Sequence, residues 1–429
     1  MATTVVKSTE TSPTWEELLG SKNWEGLVEP ELEENLRNSI LRCGDFCQAT
    51  YDCFNSNPIS PQCGNSRYGK DTFFHDVMLE NASRYQVVSF IYATSGLGDV
   101  RKNLFLHPNK DLLRCNPFCW DSESNWMGYV AVSSDKVSKA NGRREIYVAW
   151  RGTITRTEWE SNLFGAIPVS AKPLLSESSS KKVDLSIFWE PEPKIHEGWL
   201  SIYTSNNSTS NYVKTSARVQ LTNTIKELTE KYKNEKLSIV VTGHSLGGAM
   251  ATISAFDLVE NDVVGPDVPV SAFVFGCPQV GNRQLKKRVE AHSNLKIFHV
   301  KNIRDIVPNL PDFHFSIYVP LDTIELEIDT NKSPYLKTIW FKLESIADFH
   351  NLQANLHIVA GWNGADSKYE LKVRRSLALV NKSSKFLKDE YNIPESWWVE
   401  KNKGMVFDEK TGEWVLDPPP PTNQMLSMN

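Results

Sequence analysis

The sequence lacks the features that indicate a nucleic-acid partner or a membrane-spanning protein. Its 429 residues include 47 Lys and Arg against 52 Asp and Glu, so the net charge is −5, and no block of like charge forms a nucleic-acid-binding tail. No run of about 18 apolar residues could cross a bilayer as a helix. Residues 1–10 have neither the apolar core of a secretory signal nor the Arg-rich character of a transit peptide, so we expect a cytoplasmic protein.

Zinc-binding cysteine motifs are also missing, although six of the seven cysteines precede residue 120. Cys43 and Cys47 are spaced CxxxC, as are Cys115 and Cys119, whereas zinc sites typically use CxxC pairs at a defined separation. We therefore expect structural thiols, with no metal and no cofactor. Local disulfides are the alternative in an oxidising compartment.

The pattern of apolar residues predicts an α/β fold. Strands alternating with helices over residues 145–360 indicate a mostly parallel central sheet with helices on both faces. Strands are predicted over 126–132, 145–150, 237–242, 270–275, 296–301 and 315–319, and helices over 14–55, 72–94, 217–232, 247–260 and 344–360. We expect three regions: an N-terminal helical segment packed on the core (1–120), the α/β domain (121–400) and a C-terminal tail (401–429).

The strongest chemical motif lies between the predicted strand 237–242 and the helix 247–260. Residues 243–247 read Gly-His-Ser-Leu-Gly, the pattern GxSxG. A serine on a sharp strand-to-helix turn needs small residues two places to either side, and the following helix N-terminus favours developing negative charge. A phosphate-binding loop would require GxxxxGK[ST], which is absent here, and an inert glycine-rich turn is the other alternative. We therefore predict Ser245 as a nucleophile.

A carboxylate that orients the base should follow Ser245 in the sequence. Asp305 follows the predicted strand 296–301, and Asp312 and Asp329 are rivals that lie further from a clear strand. The alternative for Asp305 is a surface ion pair with Arg304 or Lys301. We predict that Asp305 orients the imidazole.

The base should be a histidine after Asp305. His314 follows too closely, which leaves His350 and His357, both within the predicted helix 344–360 and two turns apart. We favour His350 because it lies near the loop end of that helix, with His357 as the alternative.

Several motifs together resemble the class 3 lipases, and most closely the plant phospholipase A1 group known as type II. The resemblance also includes the opening Trp15–Leu18 segment and the Trp397-Trp398 pair, so it covers most of the chain. Its central motifs are Arg151-Gly152-Thr153, Gly243 to Ala249, Arg304 to Pro308 and His350 to His357.

This resemblance implies an α/β-hydrolase fold and further site residues. The backbone N–H groups of Thr153 and Leu246 would form the oxyanion hole, and residues 156–166 occupy the position of a lid. Relatives often read His-Asp-Leu-x-x-Tyr-Leu-His where this chain has Asn351 and Asn355. These two positions hold supporting residues.

The resemblance also implies the substrate: a phospholipid at a membrane surface, cleaved at the sn-1 ester by Ser245, Asp305 and His350 through an acyl-enzyme. The residue pattern itself indicates only an ester hydrolase with an apolar acyl pocket. A galactolipase, a mono- or diacylglycerol lipase, and a non-catalytic lipase-like interaction protein are the alternatives.

Overall fold

The computed structural model describes residues 12–57, 59–60, 62–94, 125–153, 167–176, 192–311, 317–338, 346–398 and 404–416. The strands are β1 (Tyr85–Ala93), β2 (Asn125–Ser133), β3 (Arg144–Trp150), β4 (Pro168–Ser170), β5 (Lys194–His196), β6 (Leu237–His244), β7 (Val270–Phe275), β8 (Leu295–Asn302), β9 (Ile324–Ile328), β10 (Met405–Asp408) and β11 (Glu413–Leu416). The α-helices are α1 (Trp15–Leu18), α2 (Glu34–Asp52), α3 (Phe73–Asp76), α4 (Asp135–Asn141), α5 (Glu197–Thr204), α6 (Ala217–Lys231), α7 (Leu246–Glu260), α8 (Arg283–Glu290), α9 (Ile346–Phe349) and α10 (Leu352–Ala360).

A seven-stranded sheet in the order β1-β2-β3-β6-β7-β8-β9 forms the centre of the fold. The five strands from β3 to β9 run parallel, and β1 and β2 pair antiparallel at one edge. Trp150 pairs with Gly243, and His244 pairs with Phe275, so the carboxyl ends of β3, β6 and β7 meet at one edge of the sheet. The predicted α/β-hydrolase fold with a mostly parallel sheet is confirmed.

Helices cover both faces of this sheet, as strand β6 illustrates. All its residues are buried. Ile239 and Val241 pack into a core formed with helices α5 to α8, whereas Val240 packs into a second core formed with α2, α9 and α10. Because successive side chains of a strand point to opposite faces, a continuous β-branched run is what a strand covered on both faces requires.

Three sequence predictions of secondary structure are wrong. Residues 72–94 do not form one helix, because Tyr85–Ala93 is strand β1, whose register with β2 shifts between Val87 and Ser89 and again between Ile91 and Tyr92. Such irregularities break the period of two that identifies a strand. The helix predicted over 14–55 is two helices, α1 and α2, and the helix predicted over 344–360 is interrupted between α9 and α10.

Two further predictions fall partly or wholly on residues that the structure does not describe. Of the strand predicted over 315–319, the described residues 317–319 contain a single bridge, from Val319 to Gly281. The predicted boundary at residue 120 lies outside the described residues, although β1, which precedes it, belongs to the main sheet.

Helix α2 packs across the sheet beneath strand β6. Leu36, Ile40, Cys43 and Cys47 recur at helical spacing and are all buried. The Glu33 carboxylate caps the helix by accepting a hydrogen bond from the N–H of Leu36 at 2.8 Å.

The C-terminal part of the chain holds α2 in place through buried and partly buried ion pairs. Arg375 donates to Asp45 at 2.8 Å, and Lys382 donates to Asp52 at 2.6 Å, where both side chains are buried. The second pair fixes the carboxyl end of α2, immediately beside Tyr51.

Four cysteines within the described residues, Cys43, Cys47, Cys53 and Cys277, are free thiols. Cys43, Cys47, Cys53 and Cys277 are buried, and burial raises the pKa of the Cys43 and Cys53 thiols well above the usual value. Cys115 and Cys119 lie outside the described residues.

Within the described part of the chain, no helix combines the length and the hydrophobicity that crossing a bilayer requires.

Replacing Lys382 by Met should destabilise the fold, because it leaves the Asp52 carboxylate buried without its cation. We expect a loss of about 3–5 kcal/mol in the free energy of unfolding, measured as a lower urea midpoint. The matched control is Lys385→Met, which removes an exposed pair with Glu395 and should cost less than about 1 kcal/mol. Equal midpoints for the two variants would show that the buried pair does not hold α2.

Candidate active site

Ser245 lies on a strained turn between strand β6 and helix α7. Its φ of 59° and ψ of −129° lie in a region that non-glycine residues rarely occupy. Gly243 and Gly247 permit this turn, because a Cβ on Gly243 would overlap the carbonyl oxygen of Gly247, and a Cβ on Gly247 would overlap that of Trp150. The turn therefore has the geometry that the GxSxG pattern predicts for a nucleophile.

The structure brings Asp305 and His350 together at the same edge of the sheet. Asp305 is buried just after β8, and its Oδ2 lies 2.5 Å from Nδ1 of His350, which occupies the break between α9 and α10. The other carboxylate oxygen of Asp305 accepts a hydrogen bond from the N–H of Val307 at 3.0 Å. Since the carboxylate accepts, Nδ1 of His350 carries the proton, and Nε2 carries the basic lone pair.

Gly276, which was not predicted from the sequence, packs against the side chains of His350 and Asp305. It follows strand β7, has a φ of +52°, and donates its N–H to the carbonyl of Val300 at 3.0 Å. A Cβ here would lie 3.0 Å from Nδ1 of His350 and 3.1 Å from Oδ2 of Asp305. The available signal was a glycine directly after a buried apolar strand, the position where a backbone approaches a site closely.

The residues predicted for the oxyanion hole follow strand β3 and Ser245. Thr153 lies three residues beyond Trp150, which pairs with Gly243. Leu246 is the first residue of α7, where backbone N–H groups have no acceptor within the helix. Both N–H groups thus belong to the edge of the sheet that carries Ser245.

Arg151 orients the peptide that contains the Thr153 N–H. Its buried guanidinium donates to the carbonyl of Gly152 at 2.9 Å and to that of Trp126 at 3.0 Å, and it lies 3.9 Å from the centre of the Phe54 ring. In a trans peptide the C=O and the next N–H point in opposite directions, so fixing the Gly152 carbonyl also fixes the Thr153 N–H. Burial lowers the pKa of Arg151 to about 10.

The alternative acids are engaged elsewhere or lie outside the described residues. Asp329 pairs with Arg304 at 2.6 Å, so Arg304 does not form the surface pair considered for Asp305. Lys301, the other cation considered for Asp305, has its Nζ 3.6 Å from Oε2 of Glu325. Asp312 falls outside the described residues.

The alternative base, His357, occupies a structural site within α10. Its Nε2 lies 2.8 Å from Oγ of Ser333, and its Nδ1 lies 3.3 Å from the hydroxyl of Tyr369. Burial lowers the pKa of His357 to about 3. Asn351 supports His350 by capping α10, since its Oδ1 accepts from the N–H groups two and three residues later, a role that Asp fills equally well.

Among the described residues, His299, Asp322 and Glu325 have ligand atoms close enough to one another to hold a metal ion. The histidine geometry opposes this use. Nε2 of His299 accepts a hydrogen bond from the N–H of Cys277 at 3.1 Å, so Nδ1, which faces the two carboxylates, carries the proton. The predicted lid, residues 156–166, lies outside the described residues.

Comparisons with known proteins identify the family. Residues 147–315 match the family Lipase (class 3). The chain is 51% identical over 417 residues to phospholipase A1-IIdelta of Arabidopsis thaliana, which covers 95% of this chain and 97% of that protein. It is 43% identical over 418 residues to phospholipase A1-II 5 of Oryza sativa subsp. japonica, which covers 95% and 84%. The chain belongs to the plant phospholipase A1-II family of class 3 lipases. It is therefore a serine ester hydrolase.

Solved fungal lipases give a weaker likeness. A propeptide complex of Rhizomucor miehei lipase, a Ser95/Ile96 deletion mutant in its own numbering, aligns with a TM-score of 0.41 and 19% identity over 70% of this chain and 68% of that chain. This low score adds nothing to the family assignment.

Substitution of the two late histidines should separate their roles within this family member. We expect His350→Gln to lower kcat/KM by about 10⁴-fold or more, because it removes the predicted general base. His357→Gln keeps an amide beside Ser333 and should remain within about threefold of the wild type. Ester hydrolysis by the purified variants checks this, and the reverse order of effects would assign the base to His357.

Gly276→Ala should lower kcat by about 10- to 100-fold, because the added methyl displaces His350 and Asp305 from their bonded positions. The matched control is Gly142→Ala, whose φ of +67° carries the same backbone strain while its Cβ would meet open space. Thermal unfolding should shift at least as far in Gly276→Ala as in the control, and full activity in Gly276→Ala would contradict the close packing described here.

Proposed function

We propose that this chain releases the fatty acid from the sn-1 position of phospholipids, with Ser245, Asp305 and His350 as its catalytic triad. The observation that carries the proposal is the 2.5 Å contact between Asp305 Oδ2 and His350 Nδ1, at the strand edge where Ser245 occupies a strained turn. The names of the relatives, phospholipases A1, support the choice of bond and substrate.

In the proposed acylation step, His350 Nε2 removes the hydroxyl proton of Ser245 as Oγ attacks the ester carbonyl. The negative charge that develops on the carbonyl oxygen is stabilised by the N–H groups of Thr153 and Leu246. When the carbon–oxygen bond to the glycerol breaks, His350 returns the proton to the departing oxygen. The products of this step are a lysophospholipid and an acyl-Ser245 ester.

Deacylation repeats these steps with water as the nucleophile. His350 accepts a proton from the water, and hydroxide adds to the acyl carbonyl. Collapse of the intermediate expels the Ser245 oxygen, which takes the proton from His350, and the fatty acid leaves. Asp305 keeps the imidazole oriented throughout and remains a carboxylate. No step requires a metal or an organic cofactor.

Positionally labelled lipids test the substrate. With phosphatidylcholine that carries different acyl chains at sn-1 and sn-2, early time points should show release of the sn-1 acid, and Ser245→Ala should abolish it. Release of the sn-2 acid would contradict the proposed position. Preferential hydrolysis of a galactolipid or of mono- or diacylglycerol would replace the phospholipid by one of those substrates.

A fluorophosphonate probe tests the triad against the alternative of a non-catalytic interaction protein. The probe reacts only with an activated serine, so it should label the native protein and fail to label Ser245→Ala. Absence of labelling in the native protein would favour an interaction protein with an inactive site.

A further inference from the structure

Helix α2 reaches the candidate active site through the side chain of Tyr51. The Tyr51 hydroxyl lies 2.8 Å from Nδ1 of His244, the residue directly before Ser245. Neither Tyr51 nor His244 was predicted from the sequence as a site residue, and Tyr51 lies outside the range that matches the class 3 lipase family.

The hydrogen bonds of His244 determine which of its two ring nitrogens carries the proton. Nε2 of His244 lies 2.9 Å from the backbone carbonyl of His350. A carbonyl can only accept, so Nε2 carries the proton and donates it. Nδ1 therefore carries the lone pair and accepts from the Tyr51 hydroxyl. Burial lowers the pKa of His244 well below the usual value, which keeps the ring in this neutral form.

The bond from His244 fixes His350 at a second point. His350 occupies the short break between α9 and α10. Asp305 holds the ring at Nδ1, and His244 holds the backbone carbonyl. The rings of His244 and His350 also pack together, with their centres 4.4 Å apart. Because His244 is bonded covalently to Ser245, these contacts connect the nucleophile to the base directly.

Tyr51 also packs against the strand end that leads to Thr153. A Cβ on Gly152 would overlap the Tyr51 hydroxyl and lie 2.6 Å from the carbonyl oxygen of His244. The glycine in the Arg-Gly-Thr motif thus makes room for this hydroxyl between the ends of β3 and β6.

We propose that Tyr51 and His244 are positioning residues that set the backbone of His350 relative to Ser245, so that α2 is part of the hydrolytic apparatus. This inference rests on the triad proposed above. A displacement of about 1 Å between reacting groups can lower a rate by about 100-fold. We therefore expect losses in kcat with little change in KM, because neither residue needs to touch the substrate.

The test measures kcat and KM for a chromogenic p-nitrophenyl ester, which does not depend on the phospholipid or on the position cleaved. His244→Leu should lower kcat by about 100-fold, and Tyr51→Phe by about 10-fold, with KM within about twofold of the wild type. His244→Gln places an amide N–H near the position of Nε2 and should recover part of the loss.

The matched control is Tyr129→Phe. The Tyr129 hydroxyl is buried and donates to the carbonyl of Phe46 in α2 at 2.9 Å, so its removal also costs a hydrogen bond between the sheet and α2. Its thermal unfolding should shift as much as that of Tyr51→Phe, while its kcat stays unchanged.

A double-mutant cycle separates positioning from general destabilisation. If Tyr51 acts through His244, adding Tyr51→Phe to His244→Leu should lower kcat no further. Full kcat in His244→Leu, independent losses in the double variant, or an equal loss in Tyr129→Phe would each overturn the inference while leaving the triad intact. A wild-type protein that neither hydrolyses the ester nor reacts with a fluorophosphonate would overturn the triad as well.

Discussion

The strained turn at Ser245 is the constraint on which the rest of the site depends. A positive φ at a serine is unfavourable by itself and persists only where the surroundings determine it. Here two features hold the turn in this conformation. Strand β6 is buried on both faces between parallel neighbours, and Gly243 and Gly247 let the backbone pass without overlap. The turn places the hydroxyl at the edge of the sheet that also carries the residues following β3, β7 and β8.

The sheet and the candidate site residues could be proposed from the sequence because their signals are local. Buried parallel strands show as short β-branched runs, such as the one before Ser245, and a strand end followed by Asp305 suggests a functional carboxylate. The choice between His350 and His357 was harder, since two positions separated by two helical turns share a face. The helix break at His350 distinguishes them, and there His350 contacts Asp305 and His244, which are distant in the sequence.

Other features were missed for related physical reasons. Strand β1 appeared helical because its register shifts twice against β2, which obscures the alternation of buried and exposed residues. Gly276, Arg151 and Tyr51 act through contacts that only the folded chain creates: a backbone packed beneath His350, a carbonyl held by a buried guanidinium, and a hydroxyl delivered by a helix some 190 residues away from Ser245 in the sequence.

Helix α2 therefore contributes to the candidate active site as well as to the core. The same helix that the Asp52–Lys382 pair fixes at its carboxyl end presents Tyr51 to His244.

The central claim is that Ser245 forms a covalent acyl-enzyme. Mass spectrometry of protein quenched in acid during turnover of a diacyl phospholipid tests this claim most directly. The account predicts that the acyl mass appears on the peptide that contains Ser245. Turnover with no acylated peptide, or with the acyl group on another residue, would contradict it.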